Sequence, residues 1–202
     1  MKLSLIIVSW KVKDLLAKCL LSIQQNPPPF PYEVIVVDNN SQDGTVEMVH
    51  KEFPQVILIA SPDNNGFAKG NNLGIERITA DTEYIMLLNP DTEVKGQALA
   101  KLVQFMDQHQ DAGASGPKLL NPDGSLQPSC KTFPTISSLI YNSLLLDSLF
   151  PRSKLFGSYE MSWWAHNDLM EVDQPMGAAL MVRKNIIDQI GLMDEQFYMF
   201  FD

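Results

Sequence analysis

Cysteines and basic residues are both scarce in this sequence. Its 202 residues include only two cysteines, Cys19 and Cys130, and 15 lysines and arginines against 24 aspartates and glutamates, a formal net charge of -9. Two cysteines so far apart favour reduced, packed thiols in a cytosolic protein. The acidic balance argues against DNA or RNA as a partner, but it allows a nucleotide bound through a divalent cation, because the ion reverses the local sign.

Long apolar runs are also absent. No segment approaches the roughly eighteen residues of a transmembrane helix, and the apolar run from Leu3 to Val8 is too short for a signal peptide. Residues 136–150 form a short apolar stretch that includes Asp147, which suits a docked or interfacial helix. Neither an internal repeat nor a low-complexity tract is present. With 45% hydrophobic residues the chain can bury a core, and its length predicts a single domain.

Apolar periodicity predicts four successive strand–helix units in the first half of the chain. The predicted elements are strand 3–8, helix 12–24, strand 33–37, helix 45–53, strand 56–60, helix 67–78, strand 84–88 and helix 97–109. This alternation predicts an α/β fold with a doubly wound, mostly parallel sheet, right-handed crossovers and helices on both faces.

The pattern changes after residue 112. Residues 114–120 and 125–131, joined by a turn at 121–124, predict a hairpin attached to the sheet edge. Residues 151–171 are loop-rich and carry aromatic side chains that could face a ligand, namely Trp163, Trp164 and His166. Strand character returns at 175–183 and helix character at 184–190. The aromatic, uncapped end at 197–202 is typical of a chain cut from a longer protein.

Asp91 directly follows the fourth predicted strand, in the segment Asn89-Pro90-Asp91-Thr92. Open α/β folds bind ligands in the crevice outside the carboxyl ends of their strands. Pro90 fixes its own φ and disfavours helix at Asn89, which would hold the Asp91 carboxylate at this rim, where it could meet a metal and a phosphate. The alternative is an Asx-type turn that caps the next helix.

A second polar segment, from Asp38 to Thr45, follows the second predicted strand. A carboxylate at a strand end is well placed to accept hydrogen bonds from a pyrimidine N–H or a ribose hydroxyl. Helix capping is the competing explanation, and Ser41 or Asp43 suits it. We therefore expect Asp43 to cap the second helix and Asp38 to contact a ligand.

Three glycines at intervals of four residues, Gly66, Gly70 and Gly74, mark the third helix. This spacing leaves one helix face without side chains and allows close backbone approach, but it matches neither G-x-G-x-x-G nor a P-loop. Close packing of the helix on the sheet is one explanation. The second explanation is a phosphate-binding site at the start of this helix. Lys69 favours it, because a positive charge near a helix start is unfavourable unless it meets a phosphate.

These segments together resemble family 2 glycosyltransferases. Four motifs carry the resemblance in order: strand 4–9, Val36 to Thr45 with its Asp-Asn-Asn-Ser-x-Asp-Gly-Thr segment, Asn64 to Gly74, and Leu87-Leu88-Asn89-Pro90-Asp91-Thr92. It extends to residues 175–183 and 191–197. The subgroup most similar to this chain is the bacterial rhamnosyltransferase type of cell-surface polysaccharide assembly.

The resemblance implies a GT-A fold, a nucleoside-diphosphate sugar donor such as a dTDP- or UDP-sugar, and inversion at the anomeric carbon. Asn89 replaces the first Asp of the family's Asp-x-Asp motif, which leaves Asp91 as the single ionised ligand to Mg²⁺ or Mn²⁺, completed by phosphate oxygens and waters. The expected donor-binding residues are Ser9, Asp38, Asn40, Asn65, Gly66, Lys69, Asn89 and Asp91.

Inverting transfer also requires a general base. By resemblance this base is Asp202 or a residue just beyond it. Residues 1–110 would form the donor-binding half and residues 111–202 the acceptor-side half. The resemblance also implies a polysaccharide or a lipid-linked glycan as the acceptor. It implies a protein in the cytoplasm, where peripheral association with the inner face of the plasma membrane is possible.

Two alternatives remain open from the sequence. A sugar nucleotidyltransferase would need a Gly-rich basic loop after the first strand, where this chain has Ser9-Trp10-Lys11-Val12-Lys13. A nucleotide-sugar-binding fragment that lacks turnover, because its catalytic base is missing, would share every donor motif.

Overall fold

The computed structural model describes residues 1–197, so Asp202 lies outside the described residues. The elements, in chain order, are β1 (Leu3–Ser9), α1 (Lys13–Gln25), β2 (Tyr32–Asp38), α2 (Thr45–Glu52), β3 (Ile57–Ala60), α3 (Gly66–Ile75), β4 (Tyr84–Leu88), α4 (Ala98–Gln108), β5 (Ala114–Ser115), β6 (Leu119–Leu120), β7 (Leu126–Gln127), β8 (Cys130–Lys131), α5 (Ile136–Ser143), α6 (Leu146–Leu149), β9 (Gln174–Pro175), β10 (Ala179–Arg183) and α7 (Lys184–Ile190). They form two compact units. One combines Met1–Ser115 with the segment from Gly177 onward, and the other is Gly116–Met176.

A six-stranded sheet of order β3-β2-β1-β4-β10-β5 organises the first unit. The first four strands along the chain pair in parallel, whereas β10 runs antiparallel to both β4 and β5. The predicted doubly wound, mostly parallel sheet is therefore confirmed. Because β10 joins the sheet of the first four units, the first compact unit takes in a strand from beyond residue 110, and the division into donor and acceptor halves stays a prediction.

The central strands β1 and β4 are buried along almost their whole length and are apolar apart from Ser4 and Ser9, because both faces of the sheet are covered. Leu3, Leu5, Ile6 and Ile7 of β1 are fully buried, and every residue of β4 is buried. Continuous apolar runs of this kind are typical of parallel strands.

Arg183 ties the end of β10 to the end of α4. Its guanidinium donates to the backbone carbonyls of Met106, His109 and Ala112 and to the hydroxyl of Tyr84. The last carbonyls of a helix have no partner within the helix, so this single side chain satisfies groups that would otherwise be unpaired.

Two of the three regularly spaced glycines allow α3 to pack tightly on β1. A Cβ added at Gly70 would lie 2.8 Å from Cγ1 of Val8, and one added at Gly74 would collide with Cγ2 of Ile6. The packing explanation therefore accounts for Gly70 and Gly74. Gly66 differs, because it begins the helix with a positive φ of 72°.

We expect Gly74→Ala to destabilise the fold by about 1–3 kcal/mol, since overpacking a closed interface has this cost even though alanine is the better helix former. The free energy of unfolding from urea denaturation measures it. Gly113→Ala is the matched control, because its nearest neighbour, Cγ1 of Ile186, is 3.6 Å away. Equal stability of the two variants would contradict the packing assignment.

The second unit corrects the predicted hairpin. Its turn is present, since Gly124 N–H donates to the Asn121 carbonyl at 2.9 Å, but β6 and β7 form a two-stranded sheet of their own. Only β5 reaches the edge of the main sheet. Gly116-Pro117 separates β5 from β6, and proline, which has no N–H, cannot extend the ladder.

The predicted apolar helix at 136–150 is present as two helices. α5 and α6 are separated at Leu144 and Leu145, and Leu145 has a left-handed φ of 56°. Within residues 1–197, no helix combines the length and the apolar character needed to cross a membrane. Both cysteines are free, with Cys19 buried and Cys130 partly buried.

Candidate active site

Three strand ends meet at one edge of the main sheet. Ser9 and Asp38 are register partners at the carboxyl ends of β1 and β2, and Asn89 directly follows β4 on the other side of β1. The chain leaves β1 toward β2 and returns to pair β4 on the opposite side, so this is the point where the strand order reverses. Ligands of open α/β sheets bind in the crevice at such a point.

Backbone hydrogen bonds hold the loops after β1 and β2 together. The Asn39 N–H donates to the Ser9 carbonyl at 2.8 Å, and the Lys11 N–H donates to Ser41 Oγ at 3.0 Å. The Lys13 N–H donates to Asp43 Oδ2 at 3.2 Å. These contacts fix the loop that carries Asp38 and Asn39 without using Asp38 Oδ1 or Asn39 Oδ1.

Three buried polar atoms at this edge have no hydrogen-bond partner: Ser9 Oγ, Asp38 Oδ1 and Asn39 Oδ1. Asp38 is 3% exposed, and its other oxygen accepts from the Ser41 N–H at 3.1 Å. The Asn39 amide donates to the Gly66 carbonyl at 2.9 Å, which orients its oxygen. Buried polar atoms are normally paired, so three unpaired ones at adjacent strand ends indicate a place for a polar ligand.

The N-cap residue of α2 is Gly44, with a left-handed φ of 84°, so Asp43 is not the N-cap that the sequence predicts, but it does accept hydrogen bonds from the first residue of the helix. Asp43 Oδ1 accepts from the Thr45 N–H at 3.0 Å and from the Thr45 hydroxyl at 2.6 Å, at the first residue of α2. Burial would raise the pKa of this carboxyl, but the hydrogen bonds from Thr45 and Lys13 outweigh it and hold the pKa below its usual value. Asp43 is thus engaged at the start of α2, whereas Asp38 keeps one oxygen without a hydrogen-bond partner.

Asn40 lies in the same loop in a left-handed conformation, with φ of 56°. Its Oδ1 accepts from the Gln42 side chain at 3.0 Å. Asparagine tolerates this backbone region better than most residues. Its predicted contact with the donor stays a prediction.

The segment after β4 is a closed turn with an outward carboxylate. Both the N–H and the hydroxyl of Thr92 donate to the Asn89 carbonyl, at 3.2 and 2.7 Å, and the Asn89 N–H donates to the Ala178 carbonyl at 2.8 Å. Asp91 is exposed and accepts no hydrogen bond from residues 1–197. Because α4 begins only at Ala98, Asp91 does not cap a helix, and that alternative is wrong.

The loop before α3 contributes the remaining predicted donor residues. Asn64 Oδ1 accepts from the Gly66 N–H at 3.0 Å, and the Asn65 amide donates to Ser61 Oγ at 2.6 Å. Lys69, in the first turn of α3, is exposed and forms no ion pair with the described residues. Its ammonium group is therefore free to meet an anion.

The metal-ligand set at this edge is small. Residues 1–197 contain no group of three or more histidine, cysteine, aspartate or glutamate side chains placed to hold an ion. One exposed carboxylate, Asp91, still fits Mg²⁺ or Mn²⁺ of the substrate-bound kind, because such ions take one or two carboxylates and keep water and phosphate oxygens as their other ligands.

Cys19 lies behind this turn and does not act as a nucleophile. The pKa of its thiol is raised to about 12, mainly by burial; the hydrogen bond with Thr92 lowers it, and the carboxylates of Asp91 and Glu93 raise it. The thiol stays protonated at neutral pH, and thiols react as thiolates.

Asn72 is a residue whose role the sequence did not reveal. Its amide oxygen accepts from the Met193 N–H at 3.0 Å, and its amide nitrogen donates to the Met193 carbonyl at 2.9 Å and to the Glu195 carboxylate at 3.1 Å. The side chain is buried in α3 and holds the segment after α7 to that helix. In the sequence, the only feature that distinguishes Asn72 is that it follows another asparagine, Asn71.

A cavity of about 570 Å³ lies elsewhere, between the Pro27–Pro29 segment and α4. Lys2, just before β1, lines it, so it is at the amino end of that strand. None of the predicted site residues contributes to it. The cavity is therefore separate from the candidate site at the strand-end edge.

The geometry agrees with the family comparison. A model of the glycosyl transferase family 2 matches residues 4–159. The chain belongs to this family. Its sequence is 27% identical over 183 residues to an N-acetylglucosaminyl-diphospho-decaprenol L-rhamnosyltransferase of Mycobacterium tuberculosis, covering 85% of this chain and 58% of that protein.

Solved structures confirm the predicted GT-A fold of this family 2 member. TarS of S. aureus aligns with a TM-score of 0.65 at 19% identity over 99% of this chain and 52% of that one, and its complexes with UDP and UDP-GlcNAc align with TM-scores of 0.55 and 0.53. The mannosyltransferase PcManGT of Pyrobaculum calidifontis, in complex with GDP-Man and Mn²⁺, aligns with 0.61 at 18% identity, covering 96% and 48%. The chain thus spans about half the length of these three proteins.

Replacing Asp38 with alanine should weaken nucleoside diphosphate binding by about 10- to 100-fold, the value of a hydrogen bond to a charged group. The dependence on Mn²⁺ should be retained, since Asp38 belongs to β2 and not to the Asp91 turn. Isothermal titration calorimetry measures both. Unchanged affinity together with a lower melting temperature would instead show that Asp38 only supports its loop.

Proposed function

We propose that the protein transfers a sugar, with inversion, from a nucleoside-diphosphate donor to a polysaccharide or lipid-linked glycan acceptor, with help from a divalent cation. The unpaired Ser9, Asp38 and Asn39 oxygens at the strand-end edge carry this proposal, with Asp91 free on the adjoining turn. Rhamnose is the proposed sugar because of the mycobacterial relative. The complexes of TarS and PcManGT support a nucleotide-sugar donor.

Each part of the donor has a proposed partner at this edge. Asp38 accepts from the base or the ribose, with Ser9, Asn40 and the loop at Asn65 and Gly66 beside it. Lys69, exposed and without an ion pair in the described part of the chain, meets the diphosphate as a point charge. Asn89 shapes the turn that presents Asp91 to the cation and the phosphates.

The transfer step exchanges one C–O bond for another. The acceptor hydroxyl oxygen attacks the anomeric carbon on the face opposite the diphosphate, the bond to the phosphate oxygen breaks, and its electron pair leaves with the nucleoside diphosphate. The hydroxyl proton goes to a carboxylate base, for which we propose Asp202. Mg²⁺ or Mn²⁺, when bound, acts as a Lewis acid on the departing diphosphate.

A donor-binding protein without turnover is the second candidate, because the described strand-end edge accounts for donor binding, whereas the proposed base, Asp202, lies outside the described residues. A thermal-shift screen of UDP, dTDP and GDP with and without Mn²⁺ tests donor binding, because a ligand at about 100 times its Kd stabilises the native state by about 2.7 kcal/mol. Product formation from a nucleotide sugar and a lipid-linked acceptor then separates the two candidates. No shift with any of the three nucleotides would contradict both.

We also propose that the protein works in the cytoplasm, at the inner face of the plasma membrane. A lipid-linked acceptor would be presented there, and the mycobacterial relative is named for such a substrate.

A further inference from the structure

The helices α5 and α6 have their apolar side chains on the outside. The only buried residue of α5 is the polar Ser138, whereas Ile136 is 81% exposed, Leu139 54% and Ile140 51%. α6 has no buried residue. A helix that packs on a core shows the opposite pattern, with its apolar stripe inward.

The exposed apolar side chains continue past the helices and form a contiguous set in sequence. Between residues 133 and 155, the large apolar side chains exposed to solvent are Phe133, Ile136, Leu139, Ile140, Leu144, Leu145, Leu149, Phe150 and Leu155. We call this set the α5–α6 surface. It holds nine of the nineteen exposed large apolar side chains among the described residues. Single exposed apolar residues are ordinary, but a concentration of this kind marks an interaction surface.

The α5–α6 surface rests on a defined structure. Thr135 and Ser138 form a capping box, with the Thr135 N–H donating to Ser138 Oγ at 2.8 Å and the Ser138 N–H to Thr135 Oγ1 at 3.1 Å. The ring of Phe156 contacts those of Tyr141, at 5.2 Å between centroids, and Phe150, at 5.5 Å. Helix capping and aromatic packing therefore fix the backbone that presents the outward side chains.

The α5–α6 surface itself carries a small net positive charge. Between residues 133 and 155 there are two basic side chains, Arg152 and Lys154, and one acidic side chain, Asp147, so 2 - 1 gives +1. Lys131, just before this range, is paired with Glu160 at 3.0 Å. Arg152 and Lys154 are exposed and follow α6 directly, with Lys154 Nζ 4.7 Å from the centre of the Trp163 ring.

We propose that the α5–α6 surface binds the interface of an anionic lipid bilayer. Short helices with leucine, isoleucine and phenylalanine on one side and arginine or lysine beside them insert about 5–10 Å into the headgroup boundary, where the cations meet lipid phosphates. A second copy of the chain is the rival occupant, since it would also bury the apolar side chains, but it offers the Arg152 and Lys154 cations no phosphate. The biological purpose of this contact rests on the proposed lipid-linked acceptor, but the contact itself does not.

Co-sedimentation of the 202-residue chain with vesicles tests this proposal. Vesicles of phosphatidylcholine mixed in equal parts with phosphatidylglycerol should bind the protein, and more strongly than vesicles of phosphatidylcholine alone. The double variant Leu139→Gln with Ile140→Gln should lower the partition coefficient by about tenfold or more, because two large apolar side chains no longer enter the interface. Arg152→Gln with Lys154→Gln should lower it by a similar factor on the anionic vesicles only.

Matched controls use exposed residues of the first unit. Leu21→Gln with Ile190→Gln removes apolar side chains that are 47% and 75% exposed, and Lys51→Gln with Lys101→Gln removes exposed cations. Both control variants should bind vesicles like the wild type. Equal loss in control and test variants would overturn the assignment to α5 and α6, as would failure of the wild type to bind anionic vesicles.

Two further measurements separate this proposal from its rivals. Sedimentation velocity shows whether the wild type is a dimer. A dimer that is lost in the Leu139→Gln with Ile140→Gln variant, together with no binding to vesicles, would identify a second copy as the occupant and overturn the lipid assignment. Asp91→Ala should bind vesicles normally while losing Mn²⁺-dependent UDP binding. If the wild type itself binds no UDP but does bind vesicles through this surface, the proposed function fails and the lipid surface stands.

Discussion

Asp91→Ala should abolish metal-dependent binding of the nucleotide and leave the fold intact. Removal of a residue that only orients a metal ligand typically costs 10- to 100-fold in metal affinity, so loss of the proposed single protein ligand should cost at least about 100-fold. The free energy of unfolding should change by no more than about 0.5 kcal/mol, because the side chain is exposed and accepts no hydrogen bond from the described residues. Calorimetry with UDP and Mn²⁺, beside urea denaturation, measures both.

Glu52→Ala is the matched control for this experiment, since Glu52 is an exposed carboxylate at the end of α2, away from the strand-end edge. It should bind UDP and Mn²⁺ like the wild type. If Asp91→Ala keeps the same Mn²⁺ dependence as this control, Asp91 is not the metal ligand.

Asp202→Asn should lower the rate of sugar transfer by about 10²- to 10⁴-fold, the usual contribution of general base catalysis, in a form of the protein that has transfer activity. Donor affinity should change little, because the proposed donor contacts belong to β1, β2, α3 and the turn after β4. Initial rates with a nucleotide sugar and a lipid-linked acceptor give the first quantity, and calorimetry gives the second.

Asp194→Asn is the control, as a carboxylate of the same final segment whose Oδ1 accepts from the Gln196 N–H at 2.9 Å. A full transfer rate in Asp202→Asn would assign the base to another residue. A parallel loss of donor affinity would mean that Asp202 acts in binding and not in proton transfer.

Local pattern was sufficient for the first half of the fold. The predicted bounds of β4 are the observed ones, since a short apolar run ending in Asn-Pro can hardly continue as strand. α3 ends three residues earlier than predicted, at Ile75, because the chain tightens there: the N–H groups of Arg77 and Ile78 donate to carbonyls three residues back. The hairpin was placed wrongly because strand pairing of two-residue segments depends on partners distant in sequence.

The positions of the proposed site residues divide in the same way. The strand-end positions of Asp38, Asn89 and Asp91 were predictable from the apolar runs before them, and the carboxyl edge of a parallel sheet is where such folds bind ligands. Asn39 and Asn72 were not singled out, since nothing local says that one keeps an unpaired oxygen and the other binds a segment more than 120 positions away. Only the assembled structure shows which polar atoms already have partners.

Apolar periodicity and motifs contiguous in the chain were enough to predict the strand–helix alternation, the family and the strand ends that carry the polar residues. Three-dimensional contacts were needed to learn that β10 runs antiparallel beside β4, that Gly70 and Gly74 serve packing, and that the apolar side of α5 faces outward. The physical reason is the same in each case. These properties depend on which distant atoms fill the space beside a residue, and a linear pattern records the residue but not its neighbours.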